Sequence, residues 1–142
     1  MRALPAMPRC AVWFADDQMR AQATVGGNIV DASPAADATP CLIAHEAVVE
    51  LASARGKRTM ALKDFVTGPN KTALADGELL AAFECDALPA HGGSFEKVGH
   101  RRSLVISLVC LAALIKLDRD GSRIEDVRLA IAGIGPKPLR LT

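Results

Sequence analysis

The sequence predicts an α+β fold, in which helices and strands mix over the first two thirds and a small antiparallel sheet follows. Three observations indicate this arrangement. A helix-start signal lies at residues 33–37, a hairpin signature surrounds Gly56, and apolar side chains alternate along residues 127–131. Because a period of two is typical of a half-buried strand, the last observation favours a sheet at the end of the chain.

The helical elements are predicted from capping residues. Ser33 can cap a helix, Pro34 suits its first position and Asp37 falls in its first turn, so we expect a helix over about residues 35–45. The polar stretch at residues 16–22 is typical of a short helical turn. Residues 29–32 predict another turn, which the Ser-Pro pair ends. The first fifteen residues show no clear period.

Turn chemistry predicts the strands that follow. Two β-prone runs, residues 48–53 and 58–62, flank Arg55-Gly56-Lys57 and predict a hairpin. The Gly-Pro-Asn sequence at residues 68–70 marks a loop. Residues 78–85 are expected to form one more strand.

A linker is predicted at residues 88–93, where a proline and a pair of glycines interrupt the pattern. It divides the chain into a first unit over residues 1–90 and a second over residues 91–142. Three apolar runs in the second unit predict a three-stranded antiparallel sheet, with a tight turn at Asp120-Gly121. These runs cover residues 94–98, 104–117 and 124–132, and residues 138–141 begin a further strand.

Composition excludes several classes of function. Of the 142 residues, half are hydrophobic and 23% are charged, as in an ordinary globular protein. A net charge of +1 and an aromatic content of 4% give neither the basic field nor the stacking surface of a nucleic-acid-binding protein. Ser107 interrupts the longest apolar run, which ends before Lys116, so we expect no membrane span.

We expect no metal site and no catalytic side chain. The cysteines form no C-x-x-C pair, and the histidines have no metal-ligand spacing with them. We interpret the thiols as small apolar core residues, in keeping with a reducing cytoplasm. The residues concerned are Cys10, Cys41, Cys85, Cys110, His45 and His91.

Five ordered motifs resemble the FAD-binding (medium) subunit of the molybdenum hydroxylases, the xanthine dehydrogenase and carbon monoxide dehydrogenase family. Residues 18–29 (QMRAQATVGGNI) resemble its second FAD motif, and residues 32–37 (ASPAAD) resemble its A-S-P-x-x-D sequence. Residues 68–72 (GPNKT), 95–102 (FEKVGHRR) and 131–138 (IAGIGPKP) resemble three later motifs in the same order. The resemblance implies the second subdomain of a molybdopterin-dehydrogenase-type FAD-binding domain, followed by the small sheet.

The resemblance also implies a function. The family's medium subunit receives electrons from a [2Fe–2S] subunit and passes them through FAD to an acceptor. The [2Fe–2S] subunit in turn receives these electrons from a molybdenum-cofactor subunit. The medium subunit's first glycine-rich FAD loop has no counterpart before Asp16, and its C-terminal end has none either, so we expect a partial subunit. The alternative is a truncated, non-catalytic remnant or scaffold that keeps the fold but does not hold FAD. Surface left uncovered in a partial subunit favours a homo-oligomer.

The glycine-rich segment is the main candidate for cofactor binding. Gly26, Gly27 and Asn28 can present backbone N–H groups to a phosphate or ribityl oxygen, and Thr24 adds a hydroxyl. The ordinary alternative is a tight turn that requires glycine for its shape alone.

Three further residues match FAD-binding positions of the family. By resemblance, Asp37 accepts hydrogen bonds from FAD hydroxyls, Lys97 stabilises anionic reduced flavin and Leu80 packs on the isoalloxazine ring. The alternatives are a carboxylate that interacts with a helix dipole for Asp37, a solvated strand lysine for Lys97 and a plain core residue for Leu80. We interpret Arg101 and Arg102 as a solvated edge of the sheet.

Overall fold

Short helices begin the chain, and the second and third of them have side-chain caps. In the computed structural model, which describes residues 3–101 and 104–141, Asp16 caps α2 and Thr24 caps α3. The helix at residues 16–22 is thus confirmed, and the turn expected at residues 29–32 begins earlier, directly after the Thr24 cap. The helices are α1 (Met7–Trp13), α2 (Asp17–Gln22), α3 (Val25–Val30), α4 (Ala38–Ala44) and α5 (Leu62–Phe65).

Helix α4 is the central helix of the fold. All seven of its residues are buried, as expected for a helix that is apolar on every side. It packs against α1 on one side and against the strands of the final sheet on another. The helix predicted at residues 35–45 is confirmed, although it starts three residues later than expected. Residues 33–36 form a turn before it, so Ser33 is not its N-cap and Pro34 does not lie in its first turn.

The predicted hairpin is confirmed, although its turn consists of Ala54 and Arg55 alone, and Gly56 and Lys57 already belong to the second strand. Strand β1 (Val48–Ser53) pairs with β2 (Gly56–Ala61), and Ser53 lies opposite Gly56. Gly56 has a φ of +132°, which only glycine adopts without strain. The predicted strand at residues 78–85 is β5 (Leu79–Glu84), which pairs with the other edge of β1. In chain order, β3 (Val66–Gly68) and β4 (Lys71–Thr72) come between β2 and β5, and they form a separate two-stranded sheet.

The final antiparallel sheet has four strands, one more than expected. The three predicted runs lie in β6 (Gly92–Val98), β7 (Val109–Leu117) and β8 (Ile124–Ala132), in that order. Strand β6 includes the glycine pair that was predicted as part of a linker, and β7 starts five residues later than the predicted run. The fourth is β9 (Leu139–Leu141), because the stretch that begins at residue 138 folds back to pair with β8 instead of only starting a strand.

A single hydrophobic core joins the helices to both larger sheets. Leu42 on α4, Leu51 on β1, Phe95 on β6 and Leu114 on β7 are fully buried in it. Helix α1, which the sequence did not predict, closes one side of this core with Cys10. No helix in the described parts of the chain is both long and apolar enough to cross a membrane.

Candidate functional site

A surface cleft of about 710 Å³ lies between α2, α3 and the segment of residues 104–106. Four of the seven predicted cofactor-binding residues line it, namely Thr24, Gly27, Asn28 and Asp37. Its volume is within the range of small-molecule sites in proteins. The cleft therefore brings together residues from two of the five motifs.

Thr24, Gly27 and Asn28 form a short polar ridge along this cleft. The Thr24 hydroxyl oxygen accepts a 2.9 Å hydrogen bond from the Gly27 N–H, so its own O–H remains able to donate to a ligand. The Asn28 Oδ1 accepts from the Ala38 N–H at 3.3 Å and helps to start α4. Its Nδ2 group donates to no acceptor in residues 3–101 or 104–141, which leaves two donors for a ligand.

Gly26 and Leu80 lie behind the ridge. A Cβ on Gly26 would meet the Leu80 side chain at 3.7 Å, an ordinary packing distance. A Cβ on Gly27, by contrast, would stand 3.0 Å from the Thr24 hydroxyl oxygen and crowd the cap. Leu80 is half-buried at the border of the core and does not line the cleft.

Asp37 and Lys97 form a buried ion pair, which sequence reasoning did not anticipate. The Lys97 Nζ lies 2.8 Å from the Asp37 Oδ2, and the two side chains are 2% and 9% exposed. Lys97 also donates to the Val105 carbonyl oxygen at 3.0 Å. The alternative of a solvated strand lysine is therefore wrong, because the whole side chain is enclosed and paired. The Asp37 side chain likewise makes no hydrogen bond as a helix cap.

Ser107 is a third member of this buried group. Its hydroxyl donates to the Asp37 Oδ1 at 2.7 Å, and the residue is only 5% exposed. The one signal in the sequence was that a serine interrupts an otherwise apolar run. The wall of the cleft formed by Leu104 and Ile106 was also missed, since no periodic pattern distinguishes these exposed side chains from a strand.

Arg101 supports the same segment from outside. Its guanidinium is exposed and donates two hydrogen bonds to the Leu104 carbonyl oxygen. Arg102, which we grouped with it as a solvated edge, lies outside the described residues.

The histidines and thiols make internal contacts. His45 is fully buried, with its Nδ1 3.1 Å from the Asp86 carbonyl oxygen, and burial lowers its pKa below the ordinary value of 6.5. The His91 Nε2 lies 2.9 Å from the Asp126 carboxylate. Among residues 3–101 and 104–141, no three histidine, cysteine or acidic side chains are placed to hold a metal ion.

The cysteines are free, and three of the four are buried, as expected for small apolar core residues. A hydrogen bond with Cys10 and burial raise the pKa of the Cys41 thiol well above its usual range. Burial also raises the pKa of Cys110 to about 11. The Cys41 and Cys110 thiols are therefore protonated and unreactive at neutral pH.

Two family profiles together match nearly the whole chain. The FAD binding domain in molybdopterin dehydrogenase matches residues 1–85, and the CO dehydrogenase flavoprotein C-terminal domain matches residues 94–142. The chain is 36% identical over 137 residues to the glyceraldehyde dehydrogenase medium chain of Sulfolobus acidocaldarius, covering 96% of this chain and 48% of that protein. It is 39% identical over 142 residues to the putative xanthine dehydrogenase FAD-binding subunit of Escherichia coli. This match covers 98% of the present chain and 48% of the Escherichia coli protein.

The fold is likewise similar to solved structures. Carbon monoxide dehydrogenase from Oligotropha carboxidovorans superposes with a TM-score of 0.91 at 26% identity, over 98% of this chain and 48% of that one. The chain thus spans about half the length of the relatives that it matches. The profile match over residues 1–85, together with the ordered motifs, shows that the chain belongs to the FAD-binding (medium) subunit family of the molybdopterin dehydrogenases.

Proposed function

We propose that this chain contributes to the flavoprotein component of a molybdenum hydroxylase-type dehydrogenase. In this role, a molybdenum-cofactor subunit passes electrons to the iron–sulfur clusters of a [2Fe–2S] subunit. From these clusters the electrons reach FAD, which passes them to an external acceptor. The observation that carries the proposal is the cleft that Thr24, Gly27, Asn28 and Asp37 line together. Residues from two separate motifs meet there, as one ligand site requires.

The lining of the cleft fits FAD, which has both a polar chain and aromatic rings. Thr24 and Asn28 offer hydrogen-bond donors on one wall, for the phosphate or ribityl oxygens. Leu104 and Ile106 offer exposed apolar side chains on another, against which a ring can pack. When bound, FAD supplies the redox chemistry, and the protein supplies placement and local electrostatics.

The remaining candidate residues are proposed to act at and behind the cleft. Asp37 lines it, and a carboxylate that already accepts two hydrogen bonds keeps lone pairs for a ligand hydroxyl. We assign Lys97 an indirect part, through the carboxylate that it neutralises. Gly26 and Leu80 support the ridge from behind, since they pack on one another.

We further propose two subdomains, residues 1–90 and 91–142. The profile boundaries at residues 85 and 94 lie on either side of this division. Four free cysteines favour a cytoplasmic protein.

One observation favours the alternative of a scaffold that does not hold FAD. Among the described residues that line the cleft there is no lysine or arginine, whereas Asp31 and Asp37 both line it. A pyrophosphate placed there would lack a cationic partner, and charge-assisted hydrogen bonds are the strong ones at such sites. A scaffold would keep the fold and the subunit contacts without a retained flavin.

The visible absorption spectrum separates the two functions. The purified chain is mixed with excess FAD, desalted and measured beside an untreated sample. Flavin retained at about one equivalent per chain supports the electron-transfer role. A colourless protein that still binds a [2Fe–2S] or molybdenum-cofactor subunit supports the scaffold and contradicts FAD binding by this chain.

A further inference from the structure

The Asp37 carboxylate joins three parts of the fold at the floor of the cleft. Asp37 itself immediately precedes α4, and its Oδ2 accepts from Lys97 on β6 at 2.8 Å. Its Oδ1 accepts from Ser107, in the segment between β6 and β7, at 2.7 Å. All three side chains are at least nine-tenths buried. Hydrogen bonds to charged groups in such surroundings are stronger than those between neutral groups.

The segment of residues 104–108 alternates between inward and outward side chains. Ser107 is buried and Val105 half-buried, whereas Leu104, Ile106 and Leu108 are 50%, 79% and 49% exposed. Both inward residues are held by the ion pair, Val105 through its carbonyl oxygen on Lys97 and Ser107 through its hydroxyl on Asp37. The position of the outward side chains therefore depends on these two anchors.

The Val105 anchor uses the backbone and tolerates a change of side chain, but the other anchor requires a hydroxyl. A buried hydroxyl without a hydrogen-bond partner costs free energy, so the Ser107 hydroxyl is tolerated in an apolar run because it bonds the Asp37 carboxylate. Arg101 adds support only at the exposed Leu104 carbonyl. Ser107 is thus the buried side chain that fixes the second half of the segment.

We propose that Ser107 is a positioning residue for the ligand cleft. Through its hydrogen bond to Asp37 it holds residues 104–108 in place, so that Leu104 and Ile106 form the apolar wall on which an aromatic ring of the ligand packs. The identity of that ligand as FAD rests on the proposed function. The proposal that Ser107 holds residues 104–108 in place does not depend on it.

Amide hydrogen exchange in the 142-residue chain measures directly how firmly Ser107 holds residues 104–108. The Leu108 N–H donates to the Val98 carbonyl oxygen at 2.8 Å, so this amide reports opening of the segment next to Ser107. Ser107→Ala removes the hydroxyl, and Ser107→Thr keeps one. The matched control is Ser94→Ala, which removes an exposed hydroxyl that also bonds a carboxylate, that of Glu96.

We expect Ser107→Ala to speed exchange of the Leu108 amide by about tenfold or more, since one charge-assisted hydrogen bond is lost. Amides of the β1–β2 hairpin should keep their rates, and both Ser107→Thr and Ser94→Ala should behave like the unmodified chain. In a fluorescence titration with FAD, Ser107→Ala should raise the Kd by about tenfold, and Ser107→Thr should restore it.

Three results of the exchange experiment would overturn the proposal. They are an unchanged Leu108 rate in Ser107→Ala, an equal acceleration in the β1–β2 hairpin, and a rate in Ser107→Thr as fast as in Ser107→Ala. Failure of the unmodified chain to bind FAD would contradict the proposed function instead. The exchange rates would then still decide whether Ser107 holds the segment.

Discussion

The buried pair of Lys97 and Asp37 shows how a strand and a helix terminus depend on one another at the level of single side chains. Two charges taken out of water are costly unless each is compensated, and here each compensates the other. Ser107 satisfies a second oxygen of the carboxylate. Removing one partner should therefore cost far more than removing a pair at the surface.

Lys97→Met tests this dependence. It leaves the Asp37 carboxylate buried without its counter-charge, and we expect the free energy of unfolding to fall by about 3–5 kcal/mol. Lys116→Met is the matched control, because Lys116 pairs with Glu125 at the same 2.8 Å but near the surface, and its loss should cost about 1 kcal/mol or less. Denaturant unfolding measures both variants, and equal losses would show that burial does not matter to the pair.

His45 should make stability depend on pH. Burial lowers its pKa below 6.5, so below about pH 6.5 the unfolded chain binds a proton at His45 that the folded chain does not. Protons then favour unfolding, and the contribution of His45 to stability is lost as the pH falls from 6.5 towards the folded pKa. Unfolding free energies of the unmodified chain and His45→Gln, measured from about pH 7 to pH 5, should show a smaller slope in the variant. Identical slopes would count against this assignment.

Helix α1 illustrates which elements the sequence could not predict. Prolines at positions 5 and 8 interrupt its pattern, and its helical state depends on packing against α4 and β6. A Cβ on Gly93 of β6 would stand 2.5 Å from the Pro5 carbonyl carbon, so the chain before α1 lies directly on the strand. Local propensity contains no record of such a contact.

Elements with local signals were predictable. The β1–β2 hairpin follows from the Arg55-Gly56-Lys57 signature, and the signals at residues 33–37 predicted a helix at α4 but not its start, because Ser33 does not cap it. Part of the lining of the candidate cleft was predictable from the motifs, namely Thr24, Gly27, Asn28 and Asp37. The contacts of Asp37 with Lys97 and Ser107 were not predictable. These two residues are 60 and 70 positions from Asp37 along the chain, and only the tertiary fold brings them together.

Gly93→Ala tests the contact between α1 and β6. The added methyl group collides with backbone atoms of Pro5, and overpacking of this kind costs about 1–3 kcal/mol. We expect faster tryptic cleavage after Arg9 together with lower stability to denaturant. Gly92→Ala, in which the nearest atom is 3.8 Å from the new Cβ, should change neither property. Similar effects at both glycines would rule out the close approach as their cause.

At the scale of the whole molecule, the described residues cover the final sheet on one face only. The face towards α4 is buried, whereas the opposite face exposes a largely apolar surface that includes the cross-strand pair of Ile115 and Val127. Apolar surface of this kind favours association. The outer face of the sheet therefore supports the expectation of a homo-oligomer.

Light scattering over a range of concentrations tests that expectation. The average mass of the unmodified chain should rise with concentration, and Ile115→Lys should reduce the rise because it places a charge in the apolar face. Leu79→Lys alters an equally apolar exposed side chain on the other sheet and should leave the association unchanged. A monomeric mass at every concentration would exclude self-association through this face.

The central claim, that the cleft beside α3 holds FAD, is tested most directly by fluorescence titration of three chains with FAD. Ile106→Asp places a negative charge in the cleft at a side chain that is 79% exposed, and Leu79→Asp places the same charge outside it at one that is 75% exposed. The unmodified chain and Leu79→Asp should bind FAD with the same Kd, whereas Ile106→Asp should bind about tenfold more weakly or worse. Equal affinity in all three chains would place FAD elsewhere, and no binding by the unmodified chain would contradict the claim outright.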